Sequence, residues 1–320
     1  MTVLSTISRR REAPASLRCL GWAALALLAL GGGPLWANTA PPAQETFGER
    51  VAETESALIE HEPSLQRFSP DKRKRLIEFV IGNLLFVSTH ELGHGLLAEF
   101  ELPNLANDED AADNFAILTT LKVGTDFSDN VLIKAVKGWY LADMRDKSTG
   151  EKPEYYDSHG LNLQRAYQIV CMMVGSHPEK FRELADSAQM PEDRQASCKT
   201  DFNFVAWSWE TLLKPHLRPQ DQPKQKIDLT YGDATGKLGV YARTFREIRF
   251  LETLAEHIGE RYAWPRPFAM EMVECGEVGA NWHSGKLKIC YEMAQEFADL
   301  YRDFGDRLQI LEASARKKRR

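Results

Sequence analysis

The sequence lacks the signatures that identify several large classes of enzyme. It has no Walker loop to bind nucleotide phosphates and no glycine-rich dinucleotide fingerprint between a strand and a helix. It also has no serine nucleophile elbow of the Gly-x-Ser-x-Gly type. The glycine triplet at 31–33 belongs to an apolar leader and cannot form a phosphate-binding turn. These absences argue against a P-loop nucleotidase, a Rossmann dehydrogenase and an α/β-hydrolase.

Cysteine is scarce, and no two cysteines have the short Cys-x-x-Cys spacing of a cysteine-rich zinc site. Four of the five cysteines lie after residue 37. An even number in an exported chain predicts two disulfide bonds, although four cysteines allow three pairings. Proximity favours Cys171–Cys198, from a helix to the connection at 191–194. It likewise favours Cys275–Cys290, between two strands that pair antiparallel around a turn.

The first 37 residues resemble a secretory signal peptide. Four arginines precede or flank an eleven-residue apolar stretch from Leu20 to Leu30, and Leu35-Trp36-Ala37 is a plausible cleavage site. The apolar stretch reaches seventeen residues if it is extended to Trp36, so an uncleaved membrane anchor is the alternative. We expect a periplasmic or secreted protein, or a membrane-anchored one if the leader is retained.

An excess of positive charge is also missing. Without residues 1–37, which contain four arginines and one glutamate, the chain keeps 36 of its 40 basic and 45 of its 46 acidic side chains. The resulting net charge of −9 argues against a nucleic-acid partner. The basic segment at 311–320 is a local exception, which we interpret as a solvated tail.

The most informative segment that is present is His90-Glu91-Leu92-Gly93-His94, inside a long apolar run. Residues four apart share one face of a helix, so His90 and His94 can bind one Zn²⁺ while Glu91 lies beside the open coordination position. The alternative is a buried helix whose two histidines face partner helices. That alternative leaves three titratable groups in an apolar segment without a ligand, which is costly.

A third ligand is predicted in the acidic cluster at 108–113, which follows a break at 101–104. Glu109 and Asp113 are four residues apart on a predicted helix and therefore share a face. We predict Glu109 as the third zinc ligand and Asp113 as the acceptor of the free N–H of a ligating histidine. Asp110 and Asp113 are the next candidates for the ligand. Capping of a helix N-terminus explains one or two acids, but not four in six positions interleaved with alanines at 111 and 112. These small alanines would allow close approach to the helix of His90.

The pattern His90-Glu91-x-x-His94 followed by Glu109-x-x-x-Asp113 resembles the zinc site of the gluzincins, the thermolysin-like peptidases. The longer string His-Glu-Leu-Gly-His … Glu-Asp-Ala-Ala-Asp is similar to an uncharacterised bacterial family of metallopeptidases. The similarity covers most of residues 76–295, including the segments 157–165, 212–216 and 275–292. The spacing between His94 and Glu109 is shorter than in thermolysin, so the resemblance implies the ligands and not the surrounding fold.

The gluzincin resemblance also implies a histidine, oriented by an aspartate, that donates a hydrogen bond to the tetrahedral oxyanion. His159 with Asp157 fits that description, and Tyr155 or Tyr156 is an alternative donor. In the competing interpretation, Asp157 and Ser158 cap the following helix and His159 is a surface residue.

The predicted fold class is α+β: a mainly helical, zincin-like domain around the His90 helix, with a small C-terminal hairpin or sheet and further helices. Helical periodicity is found at 50–60, from Ser69-Pro70 through His90, and at 128–144, 161–174, 178–187, 202–213, 244–262 and 292–308. Strands are predicted at 226–231, 268–274 and 286–291.

Four segments follow from this pattern: a signal peptide or anchor (1–37), a helical metallopeptidase core (38–217), an α/β lobe (226–310) and a basic tail (311–320). Known zincins have a sheet whose edge strand binds the substrate. Little strand signal precedes His90, so we expect residues 226–292 to supply that sheet.

We therefore predict an exported metallopeptidase with one Zn²⁺ per chain, held by His90, His94 and Glu109. Glu91 would be the general base and His159 would stabilise the oxyanion of a peptide or protein substrate. The alternative is a non-catalytic, zinc-stabilised binding or assembly protein of the cell envelope. Glu91 distinguishes the two, because a structural zinc site needs no carboxylate beside an open position.

Overall fold

The centre of the molecule is a 30-residue helix that carries both histidines of the motif. The computed structural model describes residues 47–105 and 107–318, and the predicted signal peptide lies outside the described residues. The helices are α1 (Phe47–His61), α2 (Pro70–Glu99), α3 (Asp108–Val123), α4 (Asp126–Thr149), α5 (Asn162–Ser176), α6 (Pro178–Ser187), α7 (Glu192–Leu213), α8 (Leu238–Glu247), α9 (Phe250–His257) and α10 (Tyr291–Lys318). The strands are β1 (Ile227–Tyr231), β2 (Phe268–Val273), β3 (Ala280–His283) and β4 (Lys286–Cys290). The fold class is therefore α+β, as predicted.

Helix α2 begins where the sequence predicts. The Ser69 hydroxyl accepts a hydrogen bond from the Lys72 N–H, and Pro70 occupies the first turn, where its missing N–H costs nothing. From Phe79 to Leu96 nearly every side chain is buried, because α2 packs against α3, α4, α10 and the sheet. Among the described residues, α2 alone is long and apolar enough to cross a membrane, but 78% of its most apolar window is buried inside the protein. That burial is typical of a core helix.

Helix α3 packs closely on α2 at a pair of small residues. Ala112 is fully buried, and a Cβ atom placed on Gly93 would lie 3.1 Å from the Ala112 Cα. The side chain of Asn107 caps the helix by accepting from the Glu109 N–H at 2.9 Å. The close approach that the alanines predict is found, and it brings the first turn of α3 alongside the histidines.

The four strands form one mixed sheet in the order β1-β2-β4-β3. β1 pairs with β2 and β2 with β4 in parallel, whereas β3 and β4 are an antiparallel hairpin. The hairpin turn is Ser284-Gly285, where φ is 48° and 77°. Positive φ at both central residues is the geometry of a type I′ turn, a common two-residue hairpin turn. Most buried hydrophobic side chains of the sheet and of α2 belong to one hydrophobic cluster.

Several boundaries differ from the predictions. β2 and β4 pair in parallel and not antiparallel as predicted. Between them in sequence, the chain runs back through β3, a strand that was not predicted. A strand of four residues is too short for an alternating pattern to be recognised. The connection predicted at 191–194 is instead the start of α7, directly after Pro191. The helix predicted at 244–262 is divided into α8 and α9 at Arg249, which has a φ of 56°. Helix α10 continues to Lys318, through most of the segment predicted to be a solvated tail.

Two disulfide bonds are present, and they join the cysteines that proximity favours. Cys171–Cys198 links α5 to α7, with Cα atoms 5.1 Å apart. Cys275–Cys290 links the segment after β2 to the end of β4, with Cα atoms 5.5 Å apart. Two disulfides are consistent with an extracytoplasmic location.

Candidate metal centre

The two histidines of α2 lie one helical turn apart and direct the same ring atom to the same point. His90 is only 4% exposed, and the side chain of His94 is 20% exposed. Their Nε2 atoms are 3.1 Å apart, which is too close for two bound protons. An electron-deficient partner between the two nitrogens would relieve this contact.

Glu109, from the first turn of α3, supplies a third donor. Its Oε2 atom lies 3.1 Å from His90 Nε2 and 3.3 Å from His94 Nε2. A tetrahedral zinc ion with bonds of about 2.0–2.1 Å separates its ligand atoms by roughly 3.3 Å. The three distances of 3.1, 3.1 and 3.3 Å match this value, so the donor set fits a zinc ion.

His159 approaches the same carboxylate from the loop before α5. Its Nε2 atom lies 2.9 Å from Glu109 Oε2, and the donor atoms of His90, Glu109 and His159 all lie within 4.8 Å of one another. Those three residues therefore form a second possible metal-binding group. Unlike His90, His159 is 45% exposed at its side chain.

Asp113 lies behind His90, one helical turn after Glu109. Its Oδ1 atom is 2.8 Å from His90 Nδ1. This contact gives the Nδ1 proton an acceptor and leaves Nε2 free to face the metal position. The other candidate, Asp110, is exposed.

Asp157 orients His159. Its Oδ1 atom accepts the backbone N–H of His159 at 2.7 Å and lies 3.1 Å from the ring atom Nδ1. The Asn107 amide donates to the Ser158 carbonyl, which attaches this loop to the start of α3. Asp157 therefore binds both the backbone and the ring of His159. The alternative donors Tyr155 and Tyr156 are 82% and 85% exposed.

Glu91 lies beside the histidines and is held by the sheet. Its Oε2 atom accepts a hydrogen bond of 3.1 Å from the backbone N–H of Trp282 in β3. The contact joins the second residue of the motif to a strand 191 residues further along the chain.

The same face of α2 makes two further contacts, each one turn on: one with the β3–β4 hairpin and one with the segment before β2. A Cβ atom on Gly95 would lie 2.7 Å from the Trp282 ring, so only glycine leaves room for the indole. Glu99 is paired with Arg266 through two hydrogen bonds of 2.6 and 2.7 Å. The spacing of 91, 95 and 99 thus presents one helical face to β3 and to the segment before β2.

The environment changes the protonation of these groups. Burial, the largest effect, raises the pKa of Glu91. Burial alone would lower the pKa of His90, but hydrogen bonds to Asp113 and Glu109 outweigh it and raise this pKa to about 9. Burial opposes ionisation of Glu109, yet hydrogen bonds from His159, His90 and His94 hold its pKa well below the usual range.

A family model described as "Putative metallopeptidase" (DUF4344) matches residues 51–213. The chain belongs to this family. Membership implies a metal and a protein substrate, in agreement with the donor set of the centre. The segment that matches the family contains α2, α3 and His159 but ends before the sheet. It therefore does not include residues 275–292, which the sequence analysis counted in the family resemblance. No curated protein and no solved structure was found to match the chain.

Two residues of the centre were not predicted. Arg165 binds Asp113, and the sequence signal for it is a charged residue on the buried face of α5, beside Ala166 and Ile169. Trp282 reaches Glu91 through its backbone, a contact that no side-chain pattern reveals.

Proposed function

We propose that this protein is an exported, gluzincin-like zinc endopeptidase, with one Zn²⁺ held by His90, His94 and Glu109. The observation that carries the proposal is the triangle of donor atoms with sides of 3.1, 3.1 and 3.3 Å, which has the dimensions of a tetrahedral zinc site. Zinc bound there supplies a Lewis acid that polarises the scissile carbonyl and increases the acidity of water.

Glu91 is the general base of the proposed reaction. Its carboxylate is adjacent to both histidines, and burial raises its pKa, which makes it a stronger base. It takes a proton from the attacking water and passes it to the leaving amine. The Trp282 N–H occupies one position on Oε2 and so fixes the carboxylate without removing its remaining acceptor sites.

His159 stabilises the oxyanion. Asp157 accepts at Nδ1, so the ring presents Nε2 as a donor towards Glu109. Nε2 is 2.9 Å from Glu109 Oε2, which places it within reach of a substrate carbonyl bound at the same centre. The exposure of His159 leaves a route for that substrate.

The C-terminal lobe (226–310) completes the site of the helical core (38–217), and the free edge of β3 holds an extended substrate. The Cys290 N–H donates to the Gly279 carbonyl, and antiparallel hydrogen-bonded pairs alternate, so Ala280 and Trp282 direct their backbone groups away from β4. Trp282 uses its N–H for Glu91. The Ala280 groups and the Trp282 carbonyl are positioned to pair with a peptide by strand addition.

One observation favours a second candidate, a non-catalytic envelope protein stabilised by zinc. If His159 joined His90, His94 and Glu109 as a fourth ligand, the site would have no open position, as in structural zinc sites. The half-buried Glu91, held beside the centre by the sheet, has no role in such a protein and therefore favours the peptidase.

Zinc analysis coupled to cleavage of casein or a peptide library tests the proposal. The mature, exported protein should contain about one zinc per chain, lose cleavage on chelation and regain it when zinc is restored. Zinc binding without any cleavage would support the structural alternative, and absence of zinc would reject both.

A further inference from the structure

Behind the metal centre lies a buried arginine that the proposed reaction does not use. Arg165, in the first turn of α5, is 8% exposed. Its Nε atom donates to Asp113 Oδ2 at 2.8 Å and its Nη2 atom to Asp113 Oδ1 at 2.7 Å. A buried guanidinium is costly unless it is paired, and this two-bond pairing satisfies it.

The opposite side of the guanidinium is also held. Its central carbon lies 3.8 Å from the ring centroid of Trp139 on α4, a stacking distance for a cation over an aromatic face. The resulting series of contacts runs from Trp139 on α4 through Arg165 on α5 and Asp113 on α3 to His90 on α2. Each of its four members comes from a different helix.

The contacts restrict the orientation of the Asp113 carboxylate. Oδ1 accepts from Arg165 Nη2 and faces His90 Nδ1, whereas Oδ2 accepts from Arg165 Nε. The carboxylate therefore cannot rotate without losing a bond to the guanidinium. With the carboxylate fixed, the Nδ1 proton of His90 keeps its acceptor and the Nε2 atom stays directed at Glu109 and His94.

We propose that Arg165 is a positioning residue of the metal centre, which acts through Asp113 to set the orientation and tautomer of His90 and thereby the affinity for zinc. The proposal rests on the proposed function, because it assumes that His90 is a ligand. An arginine is required at this position because a lysine provides a single point of charge and cannot hold both carboxylate oxygens.

The test is a double-mutant cycle of zinc affinities on the full mature chain, with each affinity measured by competition with a chromophoric chelator. Arg165→Met and Asp113→Asn should each weaken zinc binding by about 10- to 100-fold, the usual cost of losing such support. The double variant should bind no more weakly than the weaker single variant, because both substitutions remove the same support. Arg182→Met is the matched control, since Arg182 is exposed on α6, and it should leave affinity unchanged.

Two further measurements separate positioning from general stability. The Co²⁺-substituted protein should show a changed ligand-field spectrum in Arg165→Met, and Arg165→Lys should recover less than the full wild-type affinity. If Arg165→Met does not fold, the Arg165→Lys affinity and spectrum decide. Wild-type affinity and spectrum in the folded variants, or multiplicative losses in the double variant, would overturn the proposal. Absence of zinc from the wild type would instead reject the proposed function itself.

Discussion

The backbone N–H of Trp282 donates a hydrogen bond to Glu91 Oε2 across 3.1 Å, and the Trp282 ring covers Gly95 one turn further along α2. The proposed general base is therefore positioned by a strand that lies outside the segment matched to the metallopeptidase family. This relationship makes the sheet part of the proposed catalytic site. It predicts that a displacement of the indole will also displace the group that holds Glu91.

Gly95→Val tests that connection. A side chain at position 95 meets the indole at 2.7 Å and should displace β3, which moves the Trp282 N–H away from Glu91. We expect kcat to fall by up to about 10²-fold, the effect of a displacement near 1 Å in an active site, while zinc content remains near one per chain. Gly279→Ala is the control, because a Cβ atom there meets nothing within 4 Å. Equal kcat values in the two variants would show that the strand does not position the base.

The ligand assignment predicts an unequal effect of substitutions. His90→Ala and His94→Ala should abolish stoichiometric zinc binding, and Glu109→Ala should weaken it by about 10-fold or more. Asp110→Ala, one position further along α3, is the matched control and should have no effect. Atomic absorption on dialysed protein measures the zinc content. Full occupancy in either histidine variant, or a larger loss in Asp110→Ala than in Glu109→Ala, would contradict the assignment.

A substitution of His159 distinguishes a role in catalysis from a role as a zinc ligand. If it donates to the oxyanion, His159→Ala should lower kcat by about 10²–10³-fold with zinc affinity unchanged. Asp157→Asn should produce a smaller loss in kcat, because the ring keeps its donor atom but loses its orienting carboxylate. A loss of zinc affinity in His159→Ala would make this residue a ligand and support the structural alternative.

Zinc affinity should depend on pH. In the zinc-free protein His90 has a pKa raised from 6.5 to about 9, so a proton occupies the ring over that interval. Zinc requires the neutral imidazole, and binding must release this proton. The apparent affinity should therefore increase by about tenfold per pH unit from pH 6.5 towards 9 and level off above it. The same raised pKa stabilises the zinc-free fold below pH 6.5, and this contribution is lost as the pH rises through 9.

Competition titrations at pH 6.5, 7.5 and 8.5 measure this dependence, and calorimetry in buffers of different ionisation enthalpy counts the released protons. An affinity that does not change over the interval would show that zinc does not displace a proton from His90.

The parts of the site that are set by local geometry could be predicted from the sequence. The spacing of His90 and His94 places them on one face of α2, and the predicted contact of Asp113 with a histidine of the motif is found at His90. The start of α2 follows from Ser69 and Pro70, whose effects extend only over the first turn.

The contacts that depend on tertiary packing could not be predicted. Arg165 meets Asp113 across 52 residues, and only the packing of α3 against α5 makes the pair. β3 has four residues, and its place at the sheet edge follows from packing of Trp282 against Trp264 and Phe268. The antiparallel pairing predicted for β2 and β4 was wrong for the same reason, since the strand between them has too short a pattern to be recognised.

The most direct test of the central claim compares wild-type protein with Glu91→Gln in the same assay of zinc content and peptide cleavage. Glutamine has nearly the same shape and can still accept from the Trp282 N–H, but it cannot take a proton from water. We predict about one zinc per chain and an unchanged melting temperature in both proteins, with cleavage by the wild type and none detectable by the variant. Equal cleavage by the two proteins, or no cleavage of any library peptide by zinc-loaded wild type, would contradict the assignment of a peptidase with Glu91 as its base.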